Sequence, residues 1–178
     1  MLPRLRRPLL VFAVVAAALI VAPATASTPS SGDADARIAA QVAPRGEERA
    51  PVGTRGAMSI GRRAATLALR MVGTPYRWGG ESPEGGFDCS GLIRWSYGRF
   101  GVDLPHNAAA LNAVGRPVSR HLLRTGDVLV FSGLGHAGLY LGGGWMVHAP
   151  YSGKSVEVVN LAATNYGGRL VGARRVVG

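Results

Sequence analysis

The chain has 178 residues, room for one ordinary domain rather than two. Close to half of them are apolar, enough for a real core, and Cys89 is the only cysteine, which excludes an internal disulfide. There are 20 basic and 10 acidic residues, and residues 58–178 keep 13 basic and six acidic, nearly all the cations being arginine. A basic domain suggests nucleic acid, but the export signal described next argues against that partner and for an anionic wall or membrane surface.

Residues 1–26 have the parts of a secretory signal peptide. Arg4, Arg6 and Arg7 precede the apolar run Leu9 to Val21, and Ala24-Thr25-Ala26 closes it before Ser27. The run is short against the roughly 20 apolar residues of a membrane span, so no stable span is expected after cleavage. No cysteine follows it to carry a lipid. Residues 27–56 are rich in Ser, Pro, Ala, Gly and charge, with almost no large apolar residue, and read as a flexible linker. The folded domain is assigned to residues 57–178. A secreted or wall-associated monomer is expected.

The domain opens with Ile60, Ala64, Leu67, Ala68 and Met71 at helical spacing, stopped by Gly73-Thr74-Pro75. A glycine-rich loop spans residues 76–87. Cys89, Leu92, Ile93, Ser96, Tyr97 and Phe100 form one face of a second helix, with Asp88 as N-cap. Pro105 and Asn107 introduce a short helical turn through Leu111. From Gly126 the pattern becomes strand-like: Asp127 to Phe131, His136 to Leu141, Trp145 to Ala149, Ser155 to Leu161 and Arg169 to Val177. Helices first and strands afterwards predict an α+β fold with an antiparallel sheet.

Cys89 lies at the predicted head of a helix, where the partial positive charge favours a thiolate and lowers the cysteine pKa. The free N–H groups there also suit an oxyanion. A small buried cysteine is the alternative. His136 opens a strand and His148 lies in the next, so adjacent antiparallel strands bring the two imidazoles together, one as base and one orienting it. A core histidine, or a Cys-His-His zinc site, would use the same residues. Zinc usually recruits tight ligand pairs, and none is present, so no metal is expected. Gly153-Lys154-Ser155 lacks the upstream glycine of a phosphate-binding loop, and Gly142-Gly143-Gly144 reads as a hairpin turn.

Four blocks carry a more specific signal. Gly73-Thr74-Pro75-Tyr76-Arg77-Trp78-Gly79-Gly80 runs on to Gly86-Phe87-Asp88-Cys89-Ser90-Gly91-Leu92. Residues 123–131, then His136-Ala137-Gly138-Leu139-Tyr140-Leu141-Gly142, then Val147-His148-Ala149-Pro150, follow in order. Together they resemble the NlpC family of bacterial cell-wall cysteine peptidases. The resemblance implies a papain-like core with helices packed on an antiparallel sheet, and no cofactor. It implies Cys89 as nucleophile, His136 as base and His148 as the orienting residue. Tyr76 matches a position near the oxyanion, and Asp88 and Ser90 match positions that hold the substrate. Each of these three also has a plain structural reading as packing, cap and first-turn residue. The implied substrate is a peptidoglycan stem peptide, cut between D-glutamate and the diamino acid that follows. An amidase or acyltransferase on another substrate, and a non-catalytic wall-binding module, stay open as alternatives. The chain departs from the family after Leu104-Pro105, where many relatives have Arg-Thr-Ser and a later Gln and this chain reads His106-Asn107-Ala108-Ala109-Ala110-Leu111. His106 and His121 are read as surface or loop residues.

Overall fold

The computed structural model describes residues 58–177, so the signal peptide and linker assigned to residues 1–56 lie outside the described residues. Helix α1 spans Ile60–Leu69, its first turn capped by the Ser59 hydroxyl, which accepts from the Arg62 N–H. Its buried face is Gly61, Ala64, Ala65 and Ala68, shifted slightly from the expected stripe, since Leu67 is only half-buried. Small side chains on that face let α1 approach its neighbours closely. Gly126 shows why glycine is needed opposite: its φ is +98°, and a Cβ there would sit 2.3 Å from the Gly61 carbonyl carbon.

The predicted loop of residues 76–87 contains a small antiparallel hairpin, β1 (Glu81–Ser82) with β2 (Gly86–Phe87). These two-residue strands are too short for a periodic signal. Helix α2, Cys89–Gly98, follows immediately and buries Leu92, Ile93, Ser96 and Tyr97. Helix α3, Ala108–Leu111, is capped by Asn107, whose side-chain oxygen accepts from Ala110 N–H. Strand β3 (Arg116–Pro117) and a 3₁₀ turn (Arg120–Leu122) come next; His121 is exposed on that turn, as expected.

The remaining strands fall within the predicted runs: β4 (Val128–Phe131), β5 (Ala137–Gly142), β6 (Trp145–His148), β7 (Glu157–Asn160) and β8 (Leu170–Arg175). A single turn, α4 (Tyr166–Arg169), precedes β8. The six-stranded sheet has the order β3-β8-β4-β5-β6-β7, antiparallel throughout. The β5–β6 turn is Gly142-Gly143-Gly144, all at positive φ, the hairpin expected from the sequence.

Strand β4 is buried on both faces. Val128 and Val130 join α1 and α2 in the main core, whereas Leu129 and Phe131 join Met146 and Ala173 in a second cluster behind the sheet. The sheet is thus the middle layer, with α1 and α2 on one face and the turns around α4 on the other. This is the α+β arrangement read from the element order. A buried ion pair ties the last strand to the start of β4: Arg175 Nε and Nη2 donate to Asp127 Oδ1 and Oδ2 at 2.8 and 2.7 Å. The two-pronged geometry satisfies both desolvated charges at once.

Candidate active site

Asp88 starts the site. Its backbone is extended and its Oδ1 accepts from the Gly91 N–H at 2.7 Å, so it caps α2 as expected. The same carboxylate accepts from the Ser90 hydroxyl (3.0 Å) and from the Gly79 N–H (2.9 Å). The loop carrying Trp78, 85% exposed, is therefore fastened to the head of α2. Gly91 makes this approach possible, because a Cβ there would lie 2.0 Å from the Gly80 carbonyl oxygen. The Asp-Cys-Ser-Gly block is in this way a structural unit that sets Cys89 at the first position of a helix, beneath a glycine loop.

Ser90 is buried and spends its hydroxyl on Asp88. Tyr76 is half-buried. Its backbone bridges to Phe87, the residue before Asp88, and burial, then the charges of Cys89 and Asp88, raise its phenol above the usual range. The structure thus gathers Tyr76, Asp88, Cys89 and Ser90 at one end of α2.

From the sheet side come the two histidines. Cys89 Sγ lies 4.0 Å from the Gly135 carbonyl oxygen and also meets the Ala137 backbone N–H, so the sulfur packs against both chain neighbours of His136. Strands β5 and β6 pair directly, and His136 Nε2 lies 2.8 Å from His148 Nδ1, with ring centroids 5.0 Å apart at 79°. The two nitrogens face each other in a hydrogen bond and do not converge on a third atom, as zinc ligands would.

Charge states differ from one expectation. The helix head was expected to lower the Cys89 thiol. Burial instead pushes it up, the Asp88 charge adds to this, and backbone N–H groups of Ala137, Ser90 and Cys89 only partly oppose it. Burial lowers His136 to about 4, with the Arg169 charge acting in the same direction, and lowers His148 to about 3, with His136 contributing. Burial thus works against charge on the thiol and on both imidazoles.

Two residues complete the site that the sequence did not single out. Tyr166, on α4, lies against both imidazoles, its ring centroid 5.4 Å from His136 and 5.0 Å from His148, with Phe131 behind it at 5.0 Å. No motif marks Tyr166; only the return of the chain behind the sheet brings it there. His106 lies in a loop, as read, but is half-buried against the cap of α2. Its Nε2 lies 3.0 Å from both Asp88 oxygens, and its Nδ1 lies 3.4 Å from Glu81 Oε2. A signal was present: His106 follows Leu104-Pro105, where the family pattern has a cationic arginine.

Comparison with known proteins places this arrangement. Residues 73–175 match the model of the NlpC/P60 family. A probable endopeptidase of Mycobacterium tuberculosis is 47% identical over 118 residues, 65% of this chain and 30% of that protein. The bifunctional muramidase/DL-endopeptidase CwlT of Bacillus subtilis is 34% identical over 115 residues, 61% of this chain and 35% of that protein. The chain therefore spans about a third of the length of these relatives. Among solved structures, the NlpC/P60 domain of the peptidoglycan hydrolase SagA superposes with a TM-score of 0.58 at 33% identity, covering 65% of this chain and 97% of that domain. A Bacillus cereus NlpC/P60 family protein superposes with a TM-score of 0.62 at 31% identity, covering 66% of this chain and 40% of that one. With the match spanning the α2 head, the histidine strands and the whole sheet, the chain belongs to the NlpC/P60 family.

Proposed function

We propose that the protein is a secreted peptidoglycan endopeptidase that hydrolyses a stem-peptide amide bond through Cys89, His136 and His148. The observation that carries this reading is the pairing of a helix-head thiol with a hydrogen-bonded histidine pair. The sulfur packs between the neighbours of His136, whose Nε2 is committed to His148. The Nδ1 atom of His136 is then the nitrogen left to act as base toward Cys89. The similarity to named endopeptidases supports the same class.

The mechanism follows from the resting charge states. Because burial opposes charge on both thiol and imidazole, attack and proton transfer go together. Cys89 Sγ forms a bond to the scissile carbonyl carbon as its proton passes to His136 Nδ1. Negative charge gathers on the carbonyl oxygen, which the Cys89 backbone N–H at the helix head is suited to receive, with the Tyr76 hydroxyl nearby. His136 then protonates the departing nitrogen, the C–N bond breaks and a thioester remains. Water, deprotonated by His136, releases the acyl group and restores the thiol. Asp88 and Ser90 hold one another and the glycine loop, and so fix the head of α2 at which Cys89 stands.

The bond proposed is that between D-glutamate, linked through its side chain, and the following diamino acid. A gamma-D-glutamyl-L-lysine dipeptidyl-peptidase of Bacillus subtilis, 38% identical over 111 residues, supports this choice. The basic charge of the domain suits a carboxylate-rich substrate by raising encounter rates. Export through the signal peptide at residues 1–26 would deliver the enzyme to the wall.

The test is mass spectrometry of soluble products from purified peptidoglycan, with wild type beside Cys89→Ala. Fragments ending in D-glutamate, released only by the wild type, are expected. Equal release by Cys89→Ala would end the mechanism, and tight wall binding without release would favour a binding module.

A further inference from the structure

His148 is fully buried, 0% exposed, and only one of its nitrogens is spoken for. Nδ1 faces His136, whereas Nε2 is the buried side-chain polar atom that lacks a hydrogen-bond partner among the described residues. A buried N–H or lone pair left this way is costly and calls for an explanation. The tautomers of the pair decide which of the two it is. For His136 Nδ1 to accept the Cys89 proton, the neutral His136 must carry its own proton on Nε2 and donate it to His148. His148 Nδ1 must then be the acceptor, which leaves the His148 proton on Nε2. The orphaned atom is therefore a donor, and it needs an acceptor beyond it.

One acceptor stands in place. Glu157 is the cross-strand partner of His148 in the β6–β7 ladder, which puts both side chains on one face of the sheet. Glu157 Oε1 lies 3.5 Å from His148 Nε2. This is slightly long for a hydrogen bond, but the Glu157 side chain is 42% exposed and has the rotamer freedom to close the gap. Tyr166 covers the same corner with its ring 5.0 Å from His148, and its phenol is raised by burial and then by the Glu157 charge. The charged or titratable groups around the pair are thus Glu157, Tyr166, Arg169, Tyr151 and Cys89.

We propose that Glu157 is a positioning residue: its carboxylate accepts from His148 Nε2–H, holds His148 in the tautomer that receives the His136 proton, and so extends the relay to Cys89, His136, His148 and Glu157. This rests on the cysteine-peptidase reading of the site. Glu157 touches neither sulfur nor substrate; it acts through His148, as the second nitrogen of an imidazole is set by the partner of the first.

The test combines imidazole ¹⁵N NMR of the whole protein near neutral pH with steady-state hydrolysis of a stem peptide, for wild type, Glu157→Gln and Glu157→Ala. Wild type is expected to carry Nε2–H on His148. Glu157→Ala is expected to populate the Nδ1–H tautomer and to lose about tenfold in kcat with KM nearly unchanged. Glu157→Gln keeps an acceptor oxygen and is expected to recover most of the rate. A merely structural role would not move the tautomer or be rescued by Gln. Nδ1–H on His148 in the wild type, or a Glu157→Ala variant with wild-type tautomer and kcat, would overturn the proposal. If the wild type cleaves no stem peptide, the peptidase reading fails, and the tautomer comparison still decides the Glu157 contact.

Discussion

Replacing Asp88 by Asn tests how the site is built, because it exchanges one carboxylate oxygen for NH2 and leaves the shape nearly alone. The carboxylate accepts from Gly91 N–H and the Ser90 hydroxyl on Oδ1, from Gly79 N–H on Oδ2, and lies 3.0 Å from His106 Nε2 on both. An asparagine has one acceptor oxygen. Its best placement keeps Gly91 and Ser90, so the amide nitrogen then meets the Gly79 N–H donor to donor. An unpaired buried donor costs about 1–3 kcal/mol. Gly79 lies in an exposed loop where water can replace part of that bond, so the lower end applies. Losing the anion at the α2 head adds about 0.3–1 kcal/mol. The sum is about 1.3–2 kcal/mol, or a fall in Tm of about 4–10 °C for a domain of this size. Calorimetry of wild type and Asp88→Asn reads the first quantity, and amide exchange at Gly79 reads the local opening. Since Cys89 is the next residue, kcat should fall together with loop order. A variant with unchanged Tm and wild-type exchange at Gly79 would show that the carboxylate does not hold the loop to the helix.

Two further outcomes follow from the buried histidines and the thiol. Because burial lowers His136 to about 4, the unfolded chain binds a proton at higher pH than the folded one. Stability should therefore decline as pH falls below the ordinary histidine value of 6.5, by about 3 kcal/mol for His136 on reaching pH 4, with His148 adding a loss of similar size over the same window and continuing it toward 3. Denaturant midpoints from pH 7 to 4 for wild type and His136→Gln measure this, and equal slopes for the two would refute it. Because burial raises Cys89, the resting protein should show no thiolate absorbance at pH 7 beyond that of Cys89→Ala. A thiolate band present at pH 7 and lost on acidification would instead establish a thiolate–imidazolium pair.

Much of this protein was legible in the chain. Period 3.6 in residues 60–71 and 89–100 reported the helices, because each buries one face, and short β-branched or aromatic runs between glycine turns reported the strands. Asp88, Cys89 and Ser90 were legible together, since a cap and a first turn are local demands, whereas the close approach at Gly91 came only with the structure. His136 and His148 were legible as a pair because a short glycine hairpin leaves adjacent strands no other arrangement. What the sequence could not state depends on contacts between distant segments. Tyr166 reaches the imidazoles only because β8 inserts beside β4 and brings α4 behind the sheet. His106 reaches Asp88, and Glu157 faces His148, through a loop path and a strand register that no local pattern encodes. The thiol's charge state also belonged to the tertiary structure. A helix head favours the thiolate, but the depth at which the sheet buries Cys89 and His136 works against charge on both.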